Sequence, residues 1–516
     1  MELKKQVIKQ SDEKIKAFSQ ITFDDDYIVK DHMPDVMKII CASGKAELEE
    51  KRVVSEAVWL TGNIRFEVMY RSDGGGQLPE VIQGTIPFQE KVSVENVKEM
   101  DQLQVFFQVE DLSASIINSR KLAIRGLMNV ELLVEEVAQA QIAYGFLDGE
   151  DCQVRMEEEE LLNLVAMQHD ILRIHNELNL PKTKPNIGKI ICYYVDIRSK
   201  ECEIQNHQLE MHGDAHICIL YMSEEQQPEW VDETMHFAGK VNCPMDEEPQ
   251  LYWVRSQLLQ QKIEAELDYD KEMRQFSVEL AFDLNVKVWA EDTISVMKDA
   301  YSLEKELKPS YQMVTIWNYL VKNEAKYRVA EQMKMENGQE KILQICGYKS
   351  AVAIEHTKVL DQGIRVEGIL SVDMLYITMD DGFPISHQLE QLPFEEILDV
   401  PDLKGDINYE LECGVDQLQV NLLDNSEYEI KATISIGALV MQKREISVME
   451  SCEEEAFSEK EGEQAGIVGY IVQQEETLWD IAKKYHTTME DIIETNGMSV
   501  PKVKAGDRII IVLHAK

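Results

Sequence analysis

Hydrophobic and polar positions alternate through much of this chain. Around Gly62, residues Ile64, Phe66, Val68 and Tyr70 alternate with Asn63, Arg65, Glu67 and Met69. A period of two is the mark of a strand with one buried face. The stretch from Arg71 to Gly76 follows, with three consecutive glycines, and then another extended run toward Val94, so the pattern predicts a hairpin.

The same unit returns twice. Gly62 to Tyr70, Gly213 to Tyr221 and Gly368 to Tyr376 each place Gly and Tyr eight residues apart, and the glycines lie 151 and then 155 residues apart. Upstream, Pro34 to Cys41 matches Pro185 to Cys192, with a weaker version from Lys341 to Cys346 that lacks the proline. The cysteines precede the glycines by 21, 21 and 22 residues. Downstream, Phe88 and Phe394 each follow their tyrosine by 18 residues, and Phe237 follows by 16. Coincidence at this many positions is improbable, so the chain is read as a triplication. Each copy is expected to be mainly β, a sandwich or open barrel of short strands. The recurring glycine is read as a bulge or a close backbone approach within a strand.

Between the repeats the spacing looks helical. Leu161, Leu162, Val165, Ile171, Leu172 and Ile174 suggest a helix over Glu157 to Leu178, and Trp317, Leu320 and Val321 another over Ser310 to Met335. The expected organisation is a helical segment over 1–20, repeats over 21–145, 179–298 and 336–448, and helical connectors over 146–178 and 299–335. An acidic linker over 449–466 and a terminal α+β module over 467–513 complete it. The linker holds seven Glu and one Lys with little apolar content, so a flexible tether is expected.

The terminal module reads as strand, helix, helix, strand. Tyr470 to Gln473 is a short strand. Thr477 followed by Asp480 forms a capping-box pattern that starts a helix with Leu478, Ile481, Ala482 and Tyr485 on one face. Thr488 and Asp491 open a second helix bearing Met489, Ile492 and Ile493, which Asn496 and Gly497 stop. The chain turns through Pro501 and Gly506 into the strand Arg508 to Val512. On these residues the module resembles the LysM family.

That resemblance implies binding of glycans containing N-acetylglucosamine, in a groove between the loops Gln473 to Thr477 and Gly497 to Lys502. The family usually has Gly-Asp before Thr-Leu, whereas this chain has Glu475 and Glu476. A glycine there lets the backbone approach a sugar, and Glu475 would fill that space. Two adjacent carboxylates also need solvation or a partner. The departure favours a surface that faces protein. The candidate binding residues are Gln474, Glu475, Glu476, Thr477, Trp479, Asn496, Gly497, Met498, Ser499 and Lys502. Trp479 is either packed on the helix surface or an anchor in a protein interface.

Composition narrows the partners. The formal net charge is −43. Residues 469–516 hold seven acidic and six basic side chains, so nearly all of the excess lies in the rest of the chain. Such a surface repels nucleic acid and anionic membranes. No apolar run reaches the roughly 18 residues of a membrane span, and the N-terminus lacks the apolar core of an export signal, so a cytoplasmic location is expected. Nine cysteines without a C-x-x-C pair predict reduced thiols. His212 and His216 are four apart on a predicted strand, about 13 Å, too far to share a metal. No nucleophile or phosphate-loop motif occurs. No enzyme, metal or cofactor is expected.

Three repeats followed by one LysM resemble the SipL-like family of spore-coat morphogenesis proteins, whose repeats are DUF3794, or SPOCS, domains. The resemblance implies a role in the mother cell at the forespore surface, with the LysM binding a SpoIVA-type coat morphogenetic ATPase. The repeats would contact other coat proteins or further copies of the chain. Two other readings stay open: a protein whose LysM binds peptidoglycan or cortex glycan, and a self-assembling repeat protein with a vestigial LysM.

Overall fold

A computed structural model describes residues 1–54, 56–73, 79–98, 101–243, 251–335, 341–379, 385–401, 403, 405–456 and 466–513. The turn expected at 74–76, most of the turn expected at 379–382, and residues 457–465 of the expected linker lie outside the described residues.

Three units share one strand plan. The first comprises β1 (Leu3–Ile28), β2 (Val36–Val53), β3 (Ala57–Ser72), β4 (Glu80–Ser93), β5 (Gln102–Asn118) and β6 (Lys121–Phe146). The second comprises β7 (Cys152–Asn179), β8 (Ile187–Gln205), β9 (Gln208–Ser223), β10 (Pro228–Asn242), β11 (Leu251–Leu267) and β12 (Met273–Ser302). The third comprises β13 (Lys305–Lys334), β14 (Ile342–Leu360), β15 (Gly363–Thr378), β16 (Ile385–Asp399), β17 (Ile407–Asp424) and β18 (Glu427–Ala456). In each unit the first, sixth and fifth strands form one antiparallel sheet, and the second, third and fourth form another. A single parallel bridge, Val415 to Arg198, joins β17 to β8 and links the third unit to the second.

The two sheets of each unit enclose a core. In the first, Leu60, Ile64, Phe66 and Tyr70 of β3 pack with Leu122, Ile124 and Met128 of β6. Corresponding cores fill the second and third units. Burial of this apolar area, at about 25 cal/mol per Å², is the main stabilising term.

The recurring residues have specific jobs. Gly62, Gly213 and Gly368 lie directly opposite Phe88, Phe237 and Phe394 on the neighbouring strand. A Cβ at Gly62 would meet the Phe88 ring at 2.8 Å and overlap the Glu47 carbonyl, so the close-approach reading holds. The Tyr70 hydroxyl donates to the Pro34 carbonyl at 3.0 Å, and Tyr221 donates to Pro185 at 3.0 Å. That bond gives the recurring tyrosine a fixed backbone partner. Tyr70→Phe and Tyr221→Phe are each expected to lower stability by about 1 kcal/mol, read as a shift in the urea unfolding midpoint.

The expected helices are strands. The 1–20 segment lies in β1, the 157–178 stretch in β7, and the 310–335 stretch in β13. A β-bulge explains the misleading spacing. Pairing shifts by one residue at Lys14, Val165 and Leu320, at equivalent places in the three units. A bulge turns residues of one parity from one face to the other. Leu162 and Leu164, before the bulge, join one cluster with Trp253 and Trp289, while Leu172 and Ile174, after it, enter the core of the second sandwich. Leu161 is buried on the opposite face in a third cluster. A strand buried on two faces and interrupted by a bulge spaces its leucines like a helix.

The outer halves of the ribbons β1–β6, β7–β12 and β13–β18 meet one another. Ile8 and Ile142, Leu161 and Val296, and Val314 and Val448 form one shared cluster. Further along the same ribbons lies an ion triad drawn from all three units. Lys287 of β12 contacts Glu135 of β6 and Glu410 of β17. Lys287 is 5% and Glu135 3% exposed. Burial opposes the Lys287 charge, but the two carboxylates outweigh it and hold its pKa above the usual lysine value.

The third cysteine is out of step. Pairing skips Ile40, Ile191 and Cys346, so Cys346 occupies the bulge and Gly347 is the counterpart of Cys41 and Cys192. All nine cysteines are free. Burial pushes the Cys41 thiol up to about 12, which makes it unreactive.

The acidic run also differs from its expectation. Residues 449–456 continue β18 and pair with β13, where Lys305 and Lys308 face Glu454 and Glu455. Cross-strand lysines neutralise part of a segment that reads as too charged to order.

Candidate functional site

The terminal module follows as β19 (Gly466–Ile471), α1 (Leu478–Tyr485), α2 (Met489–Thr495) and β20 (Arg508–Leu513). Thr477 caps α1 with a reciprocal bond set: its hydroxyl accepts from the Asp480 amide, and its own amide donates to the Asp480 carboxylate. Thr488 caps α2 by one such bond, its hydroxyl accepting from the Asp491 amide. Val472, Leu478, Ile481, Ala482, Ile492, Ile509 and Ile511 form the core. The pattern of caps and apolar spacing suffices to set this local structure.

The first loop holds two glutamates in different states. Glu476 is not free: its carboxylate accepts the Tyr470 hydroxyl at 2.7 Å and the Gln473 amide at 3.0 Å. These bonds, the Gln473 amide first, hold its pKa below the usual carboxylate range. Glu475 is exposed and has φ 65°, the left-handed region that favours glycine. The position is thus one where glycine fits the backbone, yet this chain carries a charged side chain there.

The second loop is similarly divided. The Asn496 side chain donates to the Ile492 and Ile510 carbonyls and accepts from the Ile510 amide, so it ties α2 to β20. Met498 packs against the module core. Gly497, with φ 59°, Ser499 and Lys502 face solvent, as do Gln474 and Thr477 in the first loop. Of the ten candidates, Gln474, Glu475, Thr477, Gly497, Ser499 and Lys502 are exposed, whereas Glu476, Asn496 and Met498 hold the loops in shape.

Trp479 is elsewhere. It is 7% exposed and packs edge-on against Tyr301 of β12, with ring centroids 5.0 Å apart. Its indole N–H donates to Asp299 at 2.8 Å, and the Lys483 ammonium donates to the same carboxylate at 2.6 Å. Burial works to raise the Asp299 pKa, but Lys483 and Trp479 outweigh it and leave it below the usual range. The Tyr301 hydroxyl donates to the Thr487 carbonyl at 2.8 Å. Sequence reasoning missed Asp299 and Tyr301 because no local pattern marks a strand end as the seat of a distant helix.

Elsewhere, His216, Cys218 and Asp232 bring one ligand atom each within 4.8 Å of one another. The His216 ring stands between its neighbours, with Nε2 2.7 Å from Asp232 and Nδ1 3.7 Å from the Cys218 sulfur. It also stacks on Tyr348 of the third unit. His216 and Cys218 are buried and Asp232 is exposed, and the stacking on Tyr348 joins the group to the third unit. A cleft of about 750 Å³ runs along the same seam, lined by Lys200, Lys322 and Lys326 with Glu412 and Asp416. Lys200 and Lys326 are paired with those two carboxylates. Among the described residues, no helix is long and apolar enough to cross a membrane.

Comparison with family models finds the SipL, SPOCS domain at residues 35–117 and 341–423, and the LysM domain at 470–512. The SPOCS matches begin just before β2 and β14, in the first and third units. The middle unit shares their strand plan but is not matched. No curated protein and no solved structure matches the chain.

Proposed function

We propose that this chain, which carries SipL-type SPOCS domains and a C-terminal LysM domain, is a non-enzymatic spore-coat morphogenesis protein. Its LysM module binds a protein, the SpoIVA-type coat ATPase, and so recruits coat to the forespore surface from the mother cell. The observation that carries this reading is Glu475. A charged side chain occupies a left-handed backbone position on the groove rim, where the LysM family usually has glycine. It obstructs close packing of the backbone on a sugar ring and offers an ionic contact to a protein with a basic patch. Lys502, exposed in the second loop, supplies the opposite charge.

A second reading, glycan binding, is favoured by the LysM match itself. Pull-down of the full chain on the coat ATPase and on isolated peptidoglycan separates the two. ATPase capture without glycan capture is expected. Glu475→Gly is expected to weaken ATPase capture about tenfold, in line with loss of a charge-assisted contact. Capture by peptidoglycan alone overturns the proposal.

A further inference from the structure

The face of α1 that bears Trp479 is the natural candidate for an external anchor, yet it is covered by the chain's own second unit. We propose that this face is a docking surface specific for the second repeat. The resulting latch fixes the module so that the 474–477 and 497–502 rim is the side offered to partners. The proposal depends on the functional reading above only for what the rim binds.

Three observations carry it. The first is that the contact is built like an interior. Trp479, Tyr301 and Thr487 are all buried, and every polar group brought inside has a partner: the indole N–H on Asp299, the phenol on the Thr487 carbonyl, and Lys483 on the second oxygen of Asp299. His486 Nδ1 lies 3.3 Å from the Ser302 carbonyl and extends the contact to the α1–α2 turn. Complete pairing of buried polar groups is the rule of a protein interior.

The second is specificity. Bulges at Tyr144, Lys298 and Glu450 align the three units residue by residue at this strand end. The counterparts of Asp299 are therefore Gly145 and Ser451, and those of Tyr301 are Leu147 and Glu453. Neither other unit offers a carboxylate to receive the indole and ammonium together, nor a phenol to reach Thr487. Of three seats with the same backbone, one matches the module.

The third is connectivity. The module follows β18 of the third unit in sequence but sits on β12 of the second. β18 ends at Ala456 opposite Lys305, just past the end of β12, so the chain delivers the module to this strand end and the side-chain contacts hold it there.

Zero-length carbodiimide coupling of the full-length protein tests the latch, because it joins only carboxylates and amines already in contact. An Asp299–Lys483 amide bond is expected in the monomer band by peptide mass mapping. It should vanish in Asp299→Asn and in Lys483→Arg. Deuterium uptake over residues 478–487 should rise roughly tenfold in Asp299→Asn, as expected for one lost charge-assisted hydrogen bond, and stay unchanged in Ser451→Ala. The latch is overturned if the Lys308–Glu455 pair couples and Asp299–Lys483 does not, or if uptake in Asp299→Asn matches the parent chain. Coupling found only in the dimer band also overturns it, since the module would then dock on a second copy. Glu475→Gly should leave the coupling intact, so loss of partner capture with the latch still formed counts against the functional reading alone.

Discussion

Replacing Lys287 with methionine should destabilise the body of the protein by about 3–5 kcal/mol, the cost typical of breaking a buried ion pair by removing one partner. Lys287 contacts Glu135 and Glu410, each from a different unit. Burial alone already pushes the Glu135 pKa up. Without the ammonium, two carboxylates share a poorly solvated site, and at least one must take up a proton or draw in water. The comparison that isolates this effect is Lys287→Met combined with Glu135→Gln and Glu410→Gln. Removing all three charges should recover much of the loss, because an uncharged triad no longer strands a charge. Urea unfolding followed by circular dichroism reads both, and equal midpoints for Lys287→Met and the parent chain would refute the prediction. The Lys287→Met loss should also grow with rising pH above the carboxylate range, as protons leave the stranded pair.

Gly368→Ala is the second large effect, at about 2–3 kcal/mol, near the upper end of ordinary overpacking costs. A Cβ at Gly368 would lie 2.6 Å from the Phe394 ring and overlap the Ala353 carbonyl. The ring can tilt, but the carbonyl belongs to the strand pairing and cannot. Gly213→Ala should be milder, since the nearest atoms are the Phe237 ring at 2.9 Å and the Arg198 carbonyl at 3.1 Å. Phe394→Leu should rescue Gly368→Ala only in part. Thermal unfolding of the variants gives the ordering, and a Gly213→Ala loss larger than that of Gly368→Ala would contradict this account.

Much of the fold can be read in the chain where structure is local or repeated. Gly62, Phe88 and Tyr70 recur at nearly constant spacing because one residue admits the ring of another, and because a hydroxyl needs a particular carbonyl. Thr477 with Asp480 and Thr488 with Asp491 announce the helix starts directly. The strands β1, β7 and β13 are harder to read because each serves two cores. The bulges at Lys14, Val165 and Leu320 switch the buried parity within one strand, and a single window then mixes two alternating patterns. Along β13 the exposed positions do alternate beyond the bulge, through Lys322, Glu324 and Lys326, but Trp317, Leu320 and Val321 straddle it and imitate a helical turn.

The candidate rim divides for a similar reason. Glu475 and Glu476 are adjacent and chemically identical in sequence. The left-handed turn sends one into solvent and the other onto Tyr470. Asn496 looks like a groove residue but closes the module through three bonds. Trp479 was open to two readings from the helix alone, and its seat, Asp299, lies 180 residues earlier.

The triad at Lys287 has a wider consequence. Its counterparts in the other units are Leu133 and Leu439, and those of Glu135 are Trp289 and Met441. Three identical subunits must repeat every side-chain contact three times around their axis, so a homotrimer cannot build such a triad once only. Fusing the copies into one polypeptide frees each position to diverge by itself. The unit that carries Lys287 where the other two carry leucine is also the one that seats the terminal module. The chain is in effect a covalent trimer with a built-in direction, able to distinguish one of its three sides from the others.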